Sequence, residues 1–274
     1  MSDTTTRAAD VDIAAGTLRG RPFRLARGGL MPLLSALVGL RVEGLDHVPA
    51  TGPLLIVGNH LHNGDPLLLA VACPRPIHFM AKRELFAVPL LSNFIRRVGT
   101  FPVDRGTADR AAIRHAEAVL AAGIAVGMFP EGTRSATGTM AHAHPGVGLI
   151  ALRTGAPVLP VAIVGSERLP GNGTKTRRPD ASSPTSRRGA TIRFGAPFTI
   201  PRERAGHRVS AGEATATIMI VIARLLPAGY RGHYANAAAD PTSPAGAPSP
   251  SHHPSSSNAE EPPSPSRWER GVGR

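Results

Sequence analysis

Cysteine is almost missing from this chain of 274 residues: Cys73 stands alone. A single thiol excludes an internal disulfide and any cysteine-based metal cluster, and it points to a reducing compartment. Cys73 closes the apolar stretch from Leu67, where a cysteine ordinarily serves as packing. Aromatic residues make up only 4% of the chain, leaving few rings to interleave with cations as single-stranded nucleic acid requires. No apolar run reaches the roughly 18 to 20 residues needed to span a bilayer. The nearest, Leu30 to Leu40, is eleven residues long and contains Pro32, Ser35 and Gly39. The opening, Met1 to Gly16, is polar and acidic rather than basic and then apolar, so no secretory leader is expected.

Positive charge is plentiful. The formal net charge is +12, and Lys82 and Lys175 are the only lysines, so nearly all of it is arginine. Residues 235–274 hold three basic and four acidic side chains, so the preceding chain carries +13. Such an excess suits nucleic acid, an anionic lipid surface or a phosphorylated substrate, and composition alone leaves the three open. Arg19, Arg21, Arg24 and Arg27 lead into the short apolar run, the pattern of an interfacial helix on an anionic leaflet and equally of a core helix with a solvated flank.

The patterning divides the chain into a disordered lead at 1–17, a helical segment at 18–40, a folded domain at 41–234 and a tail at 235–274. The tail is rich in Ala, Pro and Ser and buries too little apolar surface to fold. Within the domain, apolar runs predict strands at Arg41–Leu45, Leu54–Val57, Ile77–Met80, Thr100–Val103, Ala125–Phe129, Val158–Val164 and Ala190–Phe194. Helical spacing predicts helices from Pro66 to about Cys73, over Lys82–Arg97 with a break at Pro89, and over Thr107–Ala122. Two more are expected near Val147–Thr154 and from about Ser210 to Leu226. Gly171 to Gly189 reads as a surface excursion. Strands alternating with helices imply an α/β fold with a mostly parallel central sheet flanked by helices.

The stretch Asn59-His60-Leu61-His62-Asn63-Gly64-Asp65-Pro66 follows the second strand. That places it at a sheet rim, where open α/β sheets bind ligands. A helix turns about 100° per residue, so positions five apart do not share a face. His60 and Asp65 can meet only if the chain folds back through Asn63-Gly64, with Asp65 at the helix start as cap and Pro66 in its first turn. On these eight residues alone, a catalytic pair and a plain capped turn both stand.

Two further rim segments follow predicted strands: Gly99 to Gly106, and Phe129-Pro130-Glu131-Gly132-Thr133-Arg134-Ser135. Together the three supply a histidine held by a carboxylate, which suits a general base, and cations with glycine-flanked amides, which suit a phosphate.

Their order, N-H-x4-D, then G-x-x-P-V-D-R, then F-P-E-G-T-R-S, followed by Ala156-Pro157-Val158-Leu159-Pro160-Val161, resembles the glycerolipid acyltransferases of the 1-acyl-glycerol-3-phosphate type. The resemblance runs from about Arg41 to Leu226. It implies a glycerol-phosphate acyltransferase fold with an amino-terminal amphipathic element, and His60 and Asp65 as the catalytic dyad. It also places Lys82, Arg105 and Glu131 at the acceptor's phosphate, with Gly132 and Arg134 completing that block. The implied reaction moves an acyl group from acyl-CoA or acyl carrier protein to a lysophospholipid hydroxyl, making phosphatidic acid for phospholipid synthesis. It needs no metal and no other cofactor. The implied setting is an anionic membrane surface on the cytoplasmic side of the cell membrane, with no nucleic acid partner. The sequence departs from the family at His62, where Ser or Gln is common, and His62 is expected to line the pocket or its rim.

Three other readings compete. One is acylation of a different acceptor, such as glycerol 3-phosphate or another lysolipid. Another is a metal-dependent hydrolase using His60, His62, Asp65, His142 and His144. The third is a basic nucleic-acid-binding protein, which leaves the F-P-E-G-T-R block unexplained.

Overall fold

The computed structural model describes residues 20–82, 101–103, 110–170 and 189–243. Seven strands form one sheet: β1 Arg41–Glu43, β2 Leu54–Gly58, β3 Ile77–Lys82, β4 Phe101–Val103, β5 Ala125–Met128, β6 Val158–Val164 and β7 Thr191–Phe194. Their spatial order is β1-β7-β6-β2-β5-β3-β4. Neighbours run parallel except β6 and β7. The predicted mostly parallel sheet is therefore present, with an antiparallel step at one side. Short apolar stretches could not announce that step, because fully buried strands of either direction read alike.

β2 lies at the centre, paired with β5 and β6, and every residue in it is buried. Alternation along this strand divides the core in two. Leu54 and Ile56 face one apolar layer with Phe79 and Leu159, while Leu55 and Val57 face the other with Val126 and Ile218. The first layer is covered by α1 Gly20–Val38 and α2 Asp65–Ala72. The second is covered by α3 Arg110–Ala121, α4 Gly146–Thr154 and α5 Ala211–Leu225. Gly148 allows α4 to lie directly on the start of α5, since a Cβ there would collide with the Ala211 carbonyl and Thr215. A capping box starts α5: the Glu213 amide donates to Ser210 Oγ at 3.2 Å, and the Ser210 amide donates to Glu213 Oε2 at 2.8 Å.

α1 packs Met31, Leu34 and Val38 inward. Its other face leaves Leu25, Leu33 and Leu37 at 77%, 51% and 71% exposure. Among the described residues no helix is long and apolar enough to cross a membrane.

At the amino end of the sheet, Arg75 is buried and donates to the carbonyls of Pro49, Gly52 and Gly123. One guanidinium thus ties the turn before β2 to the turn before β5. Arg27 of α1 does similar work on α2, donating to the Val71 and Ala72 carbonyls at 2.9 and 3.0 Å. These are carbonyls that a helix end leaves unpaired.

The ordered chain runs past the expected boundary at Tyr234. Helix α6, Ala235–Ala239, buries Ala238, and Arg224 of α5 donates to the Asp240 carbonyl at 2.8 Å. An alanine-rich segment resembles the tail in composition, yet it folds here because α5 presents a surface to pack on. A two-stranded hairpin, β8 Glu203–Arg204 and β9 His207–Arg208, was also not legible as strand. The predicted lead at 1–17, nearly all of the helix at Lys82–Arg97 and nearly all of the excursion at Gly171–Gly189 lie outside the described residues.

Candidate active site

The site is assembled at the carboxyl ends of β2, β5 and β6. β2 ends at Gly58, and Asn59 then turns its side chain onto β6. Asn59 Nδ2 donates to the Ile163 carbonyl at 2.9 Å, and the Ile163 amide donates to Asn59 Oδ1 at 2.8 Å. This amide-to-backbone pair imitates one more rung of sheet and fixes where the next residue leaves the strand.

The next residue is His60. Its Nδ1 lies 2.9 Å from Asp65 Oδ2, with His60 only 8% exposed and Asp65 fully buried. The same oxygen accepts the amides of Leu61 and His62, each at 2.7 Å. Three donors converging on one carboxylate oxygen wrap residues 60–62 around Asp65. With Nδ1 engaged by Asp65, Nε2 is the ring nitrogen left outside this pair. The histidine ring is further held by stacking on Phe129, with centroids 4.5 Å apart and planes 25° from parallel.

The expected fold-back between His60 and Asp65 is present. The expected capping role is not: Asp65 is itself the first residue of α2, and no side-chain cap bond starts that helix. The reason is geometric, because the loop amides lie behind the helix start and Oδ2 serves them instead. Among the described residues Oδ1 has no hydrogen-bond partner.

His62 is buried. Its Nδ1 accepts the Gly64 amide at 2.9 Å, so the ring folds back over the turn that returns the chain to Asp65. An imidazole used in this way is not placed as a second base. Nothing in the sequence gave that turn away, since histidine is a rare substitute for the short hydroxyl or amide side chains that usually close such turns.

β5 supplies the opposite wall through Phe129 to Ser135. Glu131 is 4% exposed, and its two oxygens accept the amides of His60 at 3.0 Å and Ala141 at 2.7 Å. Burial pushes its carboxyl up to about 7, against the lowering effect of those two bonds, and negative Asp65 adds to the rise. Ser135 donates its amide to the His60 carbonyl at 2.8 Å. Gly132 takes a left-handed φ of 69° as the turn leaves Glu131, with the His144 ring packed against it. Arg134 is partly exposed in the same turn. Arg105 and the side chain of Lys82 lie outside the described residues, although the backbone of Lys82 ends β3.

Among the described residues, no group of three or more His, Cys, Asp or Glu is arranged to hold a metal ion. His142 instead packs edge-on against His233, 5.2 Å between centroids.

The model of the family described as Acyltransferase matches residues 39–164. A 1-acyl-sn-glycerol-3-phosphate acyltransferase of Bacillus subtilis is 32% identical over 144 residues, covering 52% of this chain and 71% of that protein. Its namesake from Borreliella burgdorferi is 31% identical over 46% of this chain and 52% of its own length. The mouse alpha enzyme is 31% identical over 46% of each chain. The chain thus spans about half the length of these last two relatives. Among solved structures, the 1-acyl-sn-glycerophosphate acyltransferase PlsC of Thermotoga maritima superposes with a TM-score of 0.53 at 24% identity, covering 75% of this chain and 83% of that one. Fold and rim motifs define an acyltransferase. The chain belongs to the glycerolipid acyltransferase family, of the 1-acyl-sn-glycerol-3-phosphate acyltransferase type.

Proposed function

We propose that this protein transfers a fatty acyl group from an acyl thioester to the free hydroxyl of 1-acyl-sn-glycerol 3-phosphate, giving phosphatidic acid. The observation that carries the reading is the buried His60–Asp65 pair at 2.9 Å, set at the rim of the sheet beside the Phe129–Ser135 turn. His60 Nε2 takes the proton of the acceptor hydroxyl as that oxygen attacks the thioester carbonyl carbon. The tetrahedral adduct collapses, the carbon–sulfur bond breaks, and the proton on His60 passes to the departing thiolate. Products are an ester and a free thiol. General-base assistance of this kind contributes about 10²- to 10⁴-fold, and the remainder comes from positioning the two substrates and stabilising the oxyanion. The step uses no metal.

Arg134 in the turn, together with Arg105 and Lys82 that the family resemblance adds, would take the acceptor phosphate. The apolar outer face of α1, Leu25, Leu33 and Leu37, flanked by exposed Arg24, suits peripheral seating on an anionic cytoplasmic leaflet, where the acceptor resides.

Purified protein incubated with lysophosphatidic acid, other lysophospholipids or glycerol 3-phosphate, and with acyl-CoA or acyl carrier protein, tests the reading by mass analysis of the products. Phosphatidic acid from the wild type and none from His60→Ala is the expected result. An active His60→Ala protein would overturn the mechanism, and a product formed only from glycerol 3-phosphate or another lysolipid would reassign the acceptor.

A further inference from the structure

We infer that Glu131 is a positioning residue that holds the base His60 in place through main-chain amides, and is not a ligand of the acceptor's phosphate. This rests on the acyl-transfer reading above, and it departs from the role that the family resemblance gives Glu131.

The Phe129–Ser135 turn grips His60 at three points. Phe129 stacks on its ring, Glu131 Oε1 accepts its amide at 3.0 Å, and the Ser135 amide donates to its carbonyl at 2.8 Å. Both main-chain polar groups of the base therefore belong to one short loop from another strand. The second oxygen of Glu131 reaches on to the Ala141 amide at 2.7 Å. That stretch is itself anchored, because the Met140 amide donates to the Tyr230 carbonyl and the His233 amide to the Met140 carbonyl. Glu131 thus spans from the base to a fixed part of the domain.

A phosphate ligand would need different properties. Glu131 is buried with both oxygens committed to amides, and a carboxylate facing a phosphate dianion repels it. The chemistry that gains from Glu131 is the proton transfer, which depends on holding Nε2 at hydrogen-bond distance from the hydroxyl to within about half an ångström. Arg134, in the same turn and partly exposed, has the charge that a phosphate attracts.

Glu131→Gln keeps the size of the side chain but replaces one acceptor oxygen by a donor. With lysophosphatidic acid and acyl-CoA, kcat is expected to fall at least about ten-fold while the KM for the acceptor stays within about two-fold. Arg134→Ala in parallel is expected to raise that KM. A Glu131→Gln protein with unchanged kcat, or with its loss carried mainly by KM, overturns the assignment.

Hydrogen exchange on the wild-type protein decides the matter without any variant. Slow exchange at the His60 and Ala141 amides, unaltered by saturating glycerol 3-phosphate, supports the grip. Faster exchange of both when glycerol 3-phosphate binds, as Glu131 leaves them for the ligand, overturns it. Should the wild type fail to acylate the acceptor, the proposed reaction falls, and the exchange measurement still decides the grip.

Discussion

The two ends of the sheet bury charge in opposite ways. At the amino end, Arg75 points its guanidinium at three carbonyls. At the carboxyl end, Asp65 and Glu131 point carboxylates at four main-chain amides between them. Each arrangement meets the rule that a buried charge needs partners. Only the second also orients a side chain able to accept a proton. The lesson is that burial with satisfied hydrogen bonds does not mark a functional site, whereas burial that fixes a neighbouring reactive atom does.

That contrast is tested most strongly at Asp65. Asp65→Asn keeps the shape and an oxygen for the three donors that Oδ2 gathers, with the NH2 at the unpartnered Oδ1 position, but removes the negative charge facing Nδ1 of His60. Steady-state assays are expected to show kcat reduced by about 10²- to 10⁴-fold, with a cooperative melt retained. A loss below ten-fold would place the carboxyl end on the same footing as the amino end.

The next largest effect lies at Glu131 and is read in stability. Folded Glu131 holds its proton up to about 7, against 4.5 for the ordinary carboxyl. Between those values the folded state carries more protons than the unfolded one, so stability falls as pH rises through the window, by about 3 kcal/mol in all. Denaturant titrations across that range are expected to show this slope for the wild type relative to Glu131→Gln. A difference that grew in the opposite direction would mean that the two amide bonds outweigh burial and the folded state favours the ionised form. The carboxylate that grips His60 is thus held at a cost in stability, whereas Arg75 at the other end has no such function to set against its burial.

Arg75 gives a smaller change. Arg75→Met removes three hydrogen bonds and a buried cation while keeping much of the apolar volume. Chemical unfolding is expected to show a loss of about 1 to 3 kcal/mol, with kcat per folded molecule unchanged. A tenfold fall in kcat would show that the amino end also tunes the site, and the contrast between the ends would not hold.

Much of this was legible beforehand. Apolar run length and the punctuating glycines located β2, β3, β5 and β6 to within two residues at each end, because fully buried strands tolerate little else. His60 and Asp65 were visible as a pair since their spacing demands a fold-back that Asn63-Gly64 can make. Glu131 was picked out as a site residue by its motif, yet its partners were hidden: main-chain amides carry no side-chain identity, so a carboxylate bonded to them looks like one bonded to a ligand. The same reason concealed Arg75. The fold of 235–243 was missed because composition reports what a segment could bury alone, not what α5 offers it.

His62 carries the smallest expected effect. Its Nδ1 closes a turn by accepting the Gly64 amide, a task that a serine hydroxyl can perform from the same position. His62→Ser should therefore lower kcat by no more than a few-fold, and His62→Ala by somewhat more, since the amide then loses its acceptor and the return of the chain to Asp65 is less well fixed. If instead both variants lost activity to the level of His60→Ala, proton transfer would involve the second imidazole. The carboxyl end would then owe its reactivity to two bases in one loop rather than to one base gripped from all sides.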